Sequence, residues 1–347
     1  MSITTKPFGQ TEDGAPVTKI TLTNRSGNHI SVMNWGASLL EVVVPDRDGQ
    51  LANVNLVFDS IERYLAPHPG FGSTIGRFCN RIGQAKFTID GVEYPVTANH
   101  GKHCLHGGSV NFSHHNWTTE IIPDDATRGE DMVRYTLVSP DGEEGFPGEL
   151  TATTLYRWND ANELTIEYTA TTTKPTHVNL TNHSYWNLGG VDSGSAVNHE
   201  AIIHGEEVLA IDDDLIPTGE LVHVENTPFD FRRQTSFAAR IQSLQATKGY
   251  DHCYVVDGPA GTLRPAAHVV DPVSGRGLAI ETTLPAMQLY TANHLKKDER
   301  SGGYGPQDAF CLETQYYPDA PNHPNFPTTL LRPGAHFHEK TVHRFTA

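Results

Sequence analysis

Apolar and polar residues alternate along much of the chain with the two-residue period of a β-strand. In VRYTLVS, for example, Val133, Tyr135 and Leu137 share one side of the predicted strand. LTATTLYRW and NELTIEYTATTT continue the alternation and are rich in β-branched residues. AKFTIDGVEYPV contains two short runs joined at Asp90-Gly91, a pair that favours a tight hairpin because glycine accepts positive φ. These segments predict antiparallel strands.

Helical patterns are few. SIERYLA is long enough for one or two turns, and RQTSFAARIQSL predicts a short helix. The chain has 31 Gly and 22 Pro, which suits frequent reversals, and no long amphipathic helices separate the strands. We therefore predict an all-β fold, a large antiparallel sandwich with few short helices, forming a single domain over residues 1–347.

The segment NLTNHSYWNL, residues 179–188, carries polar groups where a core strand would carry Val, Ile and Leu. Read as a strand, it places Thr181, His183 and Tyr185 on one side. Buried amides and hydroxyls need hydrogen-bond partners, so such a strand is either exposed on one face or lines a polar pocket. Trp186 beside it suggests an aromatic surface for a sugar ring. We expect this segment to form the wall of a site.

Three other segments supply candidate polar groups. GRFCNRI combines the guanidinium groups of Arg77 and Arg81 with Asn80, a donor set suited to sugar hydroxyls, although either arginine also fits a surface charge. Asp251 precedes an apolar run in GYDHCYVV, as a residue at the start of a strand does. Glu313 follows an apolar run in FCLETQYY, so we expect its carboxylate on a buried strand, where it is costly unless solvated, paired or catalytic.

The histidines of NHGKHCLHGG, His100, His103 and His106, raise the alternative of a metal site. Their spacing is loose, and 19 His in the chain make some clustering expected by chance, so we predict no metal. Cys79, Cys104, Cys253 and Cys311 are widely separated and form no C-x-x-C pair, which predicts small buried side chains rather than disulfides or a zinc site.

The net charge of −16 disfavours nucleic acid and anionic membranes as partners, because phosphate binding needs clustered Lys and Arg. No run of about 18 apolar residues predicts a membrane helix, and the first residues lack the pattern of a signal peptide. We expect a cytoplasmic protein, either a monomer or a homodimer.

Eight motifs occur along the chain in a recognisable order: GRFCNRI, LHGG, DGEEGFPGEL, NLTNHSYWNL, LIPTGE, YDHCY, QLYTAN and FCLETQYYPDAPNHP. Together they resemble the aldose 1-epimerase (galactose mutarotase) family over roughly residues 72–333. The resemblance implies a β-supersandwich with an open sugar-binding cleft, a monosaccharide substrate and no cofactor. It implies interconversion of the α and β anomers of free aldohexoses such as galactose and glucose.

The resemblance also implies roles for individual residues. His183 matches the general acid of the family and Glu313 its general base. The residues that match sugar-binding positions are Asn80, Arg81, His106, Tyr185, Asp251 and Gln288, while a contact from Arg77 is left open. The alternatives are a non-catalytic carbohydrate-binding module on the same fold, a hexose-6-phosphate mutarotase, and a metal-dependent enzyme of another class.

Overall fold

A computed structural model describes residues 1–124 and 129–347, and β-strands dominate both ranges. In chain order the first strands are β1 (Ser2–Gln10), β2 (Pro16–Thr23), β3 (His29–Met33), β4 (Ser38–Pro45), β5 (Leu51–Asn53), β6 (Thr74–Ile75), β7 (Arg81–Ile82), β8 (Lys86–Ile89), β9 (Val92–Pro95) and β10 (Cys104–Leu105). The next are β11 (Thr118–Ile122), β12 (Glu130–Ser139), β13 (Leu150–Asn159), β14 (Glu163–Thr172), β15 (Thr176–His177), β16 (Thr181–Asn182), β17 (Glu200–Ile203), β18 (Glu207–Ile211) and β19 (Pro217–His223). The last are β20 (Thr235–Ser236), β21 (Asp251–Val255), β22 (Arg264–Val270), β23 (Gly277–Thr282), β24 (Ala286–Tyr290), β25 (Cys311–Gln315), β26 (Leu330–Leu331) and β27 (Phe337–Thr346).

Three larger antiparallel sheets organise these strands. A five-stranded sheet has the order β1-β2-β3-β4-β5, and a nine-stranded sheet has the order β11-β12-β13-β14-β27-β23-β22-β17-β20. A second five-stranded sheet has the order β19-β18-β21-β24-β25. One apolar core includes residues of all three, such as Val32 of β3, Tyr156 of β13 and Leu289 of β24. The prediction of a large antiparallel β-sandwich is confirmed.

Side-chain burial explains which strands the sequence reveals. β14 alternates buried and partly exposed positions, as expected for a strand with one face on the core. In β24 and β25 every residue is buried, so these strands lie inside the molecule with both faces covered. The hairpin of β8 and β9 turns at Asp90-Gly91, where both residues have positive φ, as predicted.

Helices are short among the described residues. The predicted helix in SIERYLA is α1 (Ile61–Leu65), and the remaining helical segments are single 3₁₀ turns. The helix predicted in residues 233–244 is wrong: Thr235–Ser236 pair with β17, and two 3₁₀ turns follow, separated at Arg240. The Arg240 guanidinium donates to the carbonyls of Thr227 and Asp230, which holds this segment against the preceding loop. No helix in the described ranges has the length and apolar character needed to cross a membrane.

Four buried histidines that are not among the predicted site residues make the free energy of unfolding sensitive to acid. Burial lowers the pKa of His177, His199, His252 and His343 to about 4, from 6.5. These rings stay neutral in the folded chain and take up a proton on unfolding between about pH 4 and 6.5. Their contribution is complete above pH 6.5 and is lost as the pH falls towards 4.

We expect the free energy of unfolding, measured with urea, to fall by about 1–2 kcal/mol per buried histidine between pH 7 and pH 5. His343→Phe removes one of these groups. The difference in the free energy of unfolding between pH 7 and pH 5 should shrink by that amount. The exposed His336 provides the control, since His336→Asn should leave the difference unchanged. Identical pH dependence in the wild type and His343→Phe would contradict this account.

Candidate active site

A cavity of about 380 Å³ lies where β21, β24 and β25 approach the loops around residues 68–81 and 105–114. This volume is within the range of small-molecule sites. All of the predicted site residues except Gln288 line it. The full lining is His68, Pro69, Gly70, Ile75, Asn80, Arg81, Leu105, His106, Asn111, Ser113, His114, His183, Tyr185, Asp251, Tyr290, His294, Leu295, Lys296, Asp298, Arg300, Ser301 and Glu313.

Strand register brings two of the carboxylates to the cavity. Glu313 is the central residue of β25 and pairs with Gln288 of β24, as expected for a carboxylate on a buried strand. Asp251 is the first residue of β21 and pairs with Tyr290 of β24. Both acidic side chains are therefore fixed by the sheet rather than by a mobile loop.

The segment that carries His183 is not the continuous strand predicted for residues 179–188. Only Thr181–Asn182 form a strand, β16, which pairs with β6, and all ten residues of the segment are buried. The next residue, His183, is held through its backbone: its N–H donates to the Ser73 carbonyl and its carbonyl accepts from the Gly72 N–H, each at 2.9 Å. These bonds fix the backbone position from which the imidazole extends at the wall of the cavity.

Aromatic rings and a carboxylate surround the imidazole of His183. The Tyr185 ring stacks on it with a centroid distance of 4.9 Å and an interplanar angle of 7°. The His106 ring meets it edge-on at 5.2 Å. Its Nε2 lies 3.7 Å from Oε2 of Glu313, a carboxylate oxygen that has no hydrogen-bond partner among the described residues. The two groups predicted to exchange protons are thus neighbours.

Burial sets the protonation of this pair. It raises the pKa of Glu313 to about 8, an effect that Asp251 strengthens and Arg81 opposes. It lowers the pKa of His183 to about 4, against a smaller opposing effect of Asp251. Between these values the pair holds one proton. The short distance between the groups favours the charged pair, whereas exclusion from water favours the neutral one.

Asn80, Arg81 and His106 form one hydrogen-bonded unit. The backbone N–H of Asn80 donates to Nδ1 of His106 at 3.1 Å, and the backbone N–H of His106 donates to the backbone carbonyl of Asn80 at 2.8 Å. Since Nδ1 accepts, the proton of neutral His106 lies on Nε2. Arg81 donates to Oδ1 of Asn80 at 3.2 Å and to Oδ2 of Asp251 at 3.4 Å. The unit supplies donors and acceptors suited to hydroxyl groups.

Gln288 differs from the other predicted binding residues. Its Nε2 donates to Oδ1 of Asp251 at 2.7 Å, and it does not line the cavity. Its place in the structure is therefore behind Asp251, where it orients that carboxylate.

Two residues singled out in the sequence lie elsewhere. Arg77 is buried rather than a surface charge, and its guanidinium donates to the carbonyls of Pro147 and Gly148 and to the Ser139 hydroxyl at 2.5–3.0 Å. It does not line the cavity. Trp186 packs against His343 and Phe345 in the core, so the suggested stacking surface for a sugar ring is wrong for this residue.

The cavity also contains residues that the sequence analysis missed, including His68, Tyr290, His294, Lys296 and Arg300. Two of them had a signal. Tyr290 shares the QLYTAN motif with Gln288, two residues away on the same strand, and His294 follows that motif directly. His68 lies in a short loop where no pattern marks it.

The histidine cluster of residues 100–106 does not converge on one point. His106 lines the cavity, whereas Nε2 of His103 lies 3.3 Å from Oδ2 of Asp214. A different group, His183, Cys311 and Glu313, has donor atoms within 4.8 Å of one another. Its closest contacts use different nitrogens of His183, Nδ1 to the thiol and Nε2 to the carboxylate.

Comparisons with known proteins agree with the motifs. The family model described as aldose 1-epimerase matches residues 18–344. The chain is 38% identical to the galactose mutarotase of Bos taurus over 100% of this chain and 99% of that protein. It is 36% identical to the aldose 1-epimerase of Escherichia coli strain K12 over 96% of this chain and 97% of that protein. The crystal structure of galactose 1-epimerase from Lactobacillus acidophilus superimposes with a TM-score of 0.89 at 25% identity, covering 100% of this chain and 99% of that one.

The fold and the full-length matches define an isomerase that interconverts the anomers of aldoses. Within that class, the chain belongs to the aldose 1-epimerase family.

Arg77 and Arg81 offer a direct comparison of a structural and a cavity arginine. Arg77→Met should leave several buried carbonyl oxygens without donors and lower the free energy of unfolding by roughly 3 kcal/mol or more, with KM for the sugar nearly unchanged. Arg81→Met should raise KM roughly tenfold or more, because it removes charged donors from the cavity. Urea unfolding and steady-state kinetics of both variants test this contrast. A raised KM in folded Arg77→Met would contradict the assignment.

Proposed function

We propose that this protein interconverts the α and β anomers of free aldohexoses, galactose and glucose among them, with Glu313 as general base and His183 as general acid. The observation that carries the assignment is the unpartnered Oε2 of Glu313, 3.7 Å from Nε2 of His183, at the wall of a cavity that suits a small molecule. A buried carboxylate and a buried imidazole at this distance are expected where protons are exchanged.

The reaction follows from this geometry. The Glu313 carboxylate takes the proton of the anomeric hydroxyl, and the C1–O1 bond gains double-bond character as the C1–O5 bond breaks. The electron pair of that bond stays on O5, which takes the Nε2 proton of His183. The aldehyde turns about C1–C2 and the ring closes on its other face with both transfers reversed. Each positioned proton transfer contributes roughly 10²–10⁴-fold to such a rate.

The remaining cavity residues bind the sugar in this proposal. Arg81 and the Nε2–H of His106 donate to sugar oxygens and stabilise negative charge that develops on O5. The Asn80 amide donates to hydroxyl groups and the Asp251 carboxylate accepts from them, while Tyr185 supports the imidazole from behind. Gln288 acts through Asp251, which supports a positioning role rather than direct contact.

We further infer one domain over residues 1–347, a cytoplasmic location, a monomeric or homodimeric state, and no nucleic-acid or membrane partner. The net charge of −16 supports the absence of a polyanionic partner. The four cysteines, all buried and unpaired, support a reducing compartment. Light scattering after size-exclusion chromatography measures the oligomeric state directly.

Polarimetry on freshly dissolved α-D-galactose tests the proposed base. The wild type should accelerate the relaxation of optical rotation, and Glu313→Gln should lose about 10²–10⁴-fold in kcat because the amide cannot accept the proton. Asp319→Asn is a matched control, since Asp319 is a buried carboxylate that does not line the cavity and accepts from the Gly83 N–H.

Three results would contradict the proposal. Relaxation at the buffer rate with the wild type, for galactose, glucose and arabinose alike, would favour a non-catalytic binding module. Conversion of glucose 6-phosphate far faster than of glucose would favour a hexose-6-phosphate mutarotase. Loss of activity on exhaustive chelation would favour a metal-dependent enzyme.

The pH dependence of kcat/KM tests the pair. Below about pH 4 both groups hold protons and Glu313 cannot accept one, while above about pH 8 both are deprotonated and His183 cannot donate. We expect a bell-shaped profile with limbs near these values, because the form in which the pair holds one proton is the active one. Glu313→Gln should lose one limb and His183→Asn the other. A flat profile in the wild type would refute these roles.

A further inference from the structure

The thiol of Cys311 contacts the Nδ1 edge of the His183 ring, whereas Glu313 lies nearest to Nε2. Its Sγ lies 3.7 Å from Nδ1 of the imidazole, and no other side chain of the described residues is hydrogen-bonded to that nitrogen. Cys311 is buried, precedes Glu313 by two residues on β25, and does not line the cavity. The strand that carries the carboxylate therefore also carries the partner of the imidazole.

Stacking alone does not orient the imidazole fully. The Tyr185 ring, parallel to it within 7°, fixes the plane of the His183 ring. A rotation of the ring by 180° about its Cβ–Cγ bond keeps this stacking contact but exchanges Nδ1 with Cδ2 and Nε2 with Cε1. In the rotated form a carbon atom would face Glu313, and the acid could not donate from that edge.

The surroundings of the ring distinguish the two orientations. In the structure Cδ2 faces Gly70, whose N–H already donates to Nδ1 of His68. Nδ1 faces the thiol, a group that both donates and accepts weakly. Burial raises the pKa of Cys311 well above its ordinary value, so the thiol keeps its proton. The titratable side chains that contact the ring or act on its charge are His68, His106, Tyr185, Asp251, Tyr290, Cys311 and Glu313.

We propose that Cys311 is a positioning residue, whose thiol holds Nδ1 of His183 and so directs Nε2 towards Glu313 and the cavity. This inference rests on the proposed role of His183 as the acid. A thiol suits both protonation states of the imidazole: it donates to Nδ1 when that nitrogen is bare and accepts from it when the ring is charged. Because the thiol is uncharged, it orients the ring without the strong stabilisation of the imidazolium that a carboxylate partner would give.

The test compares Cys311→Ala and Cys311→Ser with Cys253→Ala. Cys253 is an equally buried cysteine in the same sheet, and its sulfur lies 3.9 Å from the Gln315 amide rather than near the imidazole. Cys311→Ala should lower kcat about three- to tenfold, the range expected for one modest hydrogen bond, and leave KM within about twofold. Cys311→Ser retains a donor and an acceptor and should keep most of the wild-type kcat. Cys253→Ala should have wild-type kcat and KM.

Nitrogen NMR of histidine-labelled protein without sugar supplies a readout that needs no turnover. The His183 signals are identified by their absence in His183→Asn. The Nδ1 resonance should move in Cys311→Ala and stay unmoved in Cys253→Ala. Unchanged Nδ1 resonance and kcat in Cys311→Ala would overturn the inference, as would an equal loss of kcat in Cys253→Ala and Cys311→Ala. If Cys311→Ala does not fold, a Cys311→Ser variant with normal Tm but a tenfold loss of kcat would overturn it.

The two proposals fail in different ways. Wild-type activity in His183→Asn would end the proposed role of the acid, whereas the Nδ1 resonance would still report whether the thiol holds the ring. A normal Nδ1 resonance in Cys311→Ala, together with an inactive His183→Asn, would leave the acid in place and remove only the role of Cys311.

Discussion

The site depends on keeping one carboxyl group, that of Glu313, away from water and partly unsatisfied. Burying an ionised carboxylate without partners costs several kcal/mol, and the side chain responds by holding its proton to a higher pH. The fold maintains this costly position because β24 and β25 are buried throughout and locked by antiparallel pairing. A carboxylate on an exposed loop would be solvated and would be a much weaker base.

Two arginines of one motif, Arg77 and Arg81, have different roles near this buried carboxyl group. Arg77 and Arg81 are four residues apart, and both are buried. Arg77 satisfies the carbonyl oxygens of the turn at residues 139–148, so its charge is used to hold the backbone. Arg81 is bonded to Asn80 and Asp251, and its charge reaches the cavity, where it opposes the rise in the pKa of Glu313. Residue type and spacing alone do not separate these roles.

Sequence patterns predict the fold where a strand has one covered face, because alternation then records burial. β12 and β14 follow this rule, as does the hairpin at Asp90-Gly91. The pattern fails in residues 179–188, where every side chain is buried and the backbone pairs briefly with several neighbours. Trp186 was misplaced for that reason. Residue type and strand position already indicate His183, Asn80, Arg81, Asp251 and Glu313, and motif resemblance adds the sugar-binding roles of His106, Tyr185 and Gln288. Seven of these eight line the cavity. Neither argument shows that Gln288 stands behind Asp251 or that His68 lines the wall.

The mutual hydrogen bonds of Asn80 and His106 limit how such a protein can diverge. Each residue has a positive φ and each supports the other, so a change in one removes the support of both. His294, Lys296 and Arg300 are exposed lining residues, and none of them is hydrogen-bonded to His183 or Glu313 in the described part of the chain. Selection for a different sugar, in nature or in directed evolution, therefore has most freedom at these exposed positions and little at the interlocked Asn80 and His106.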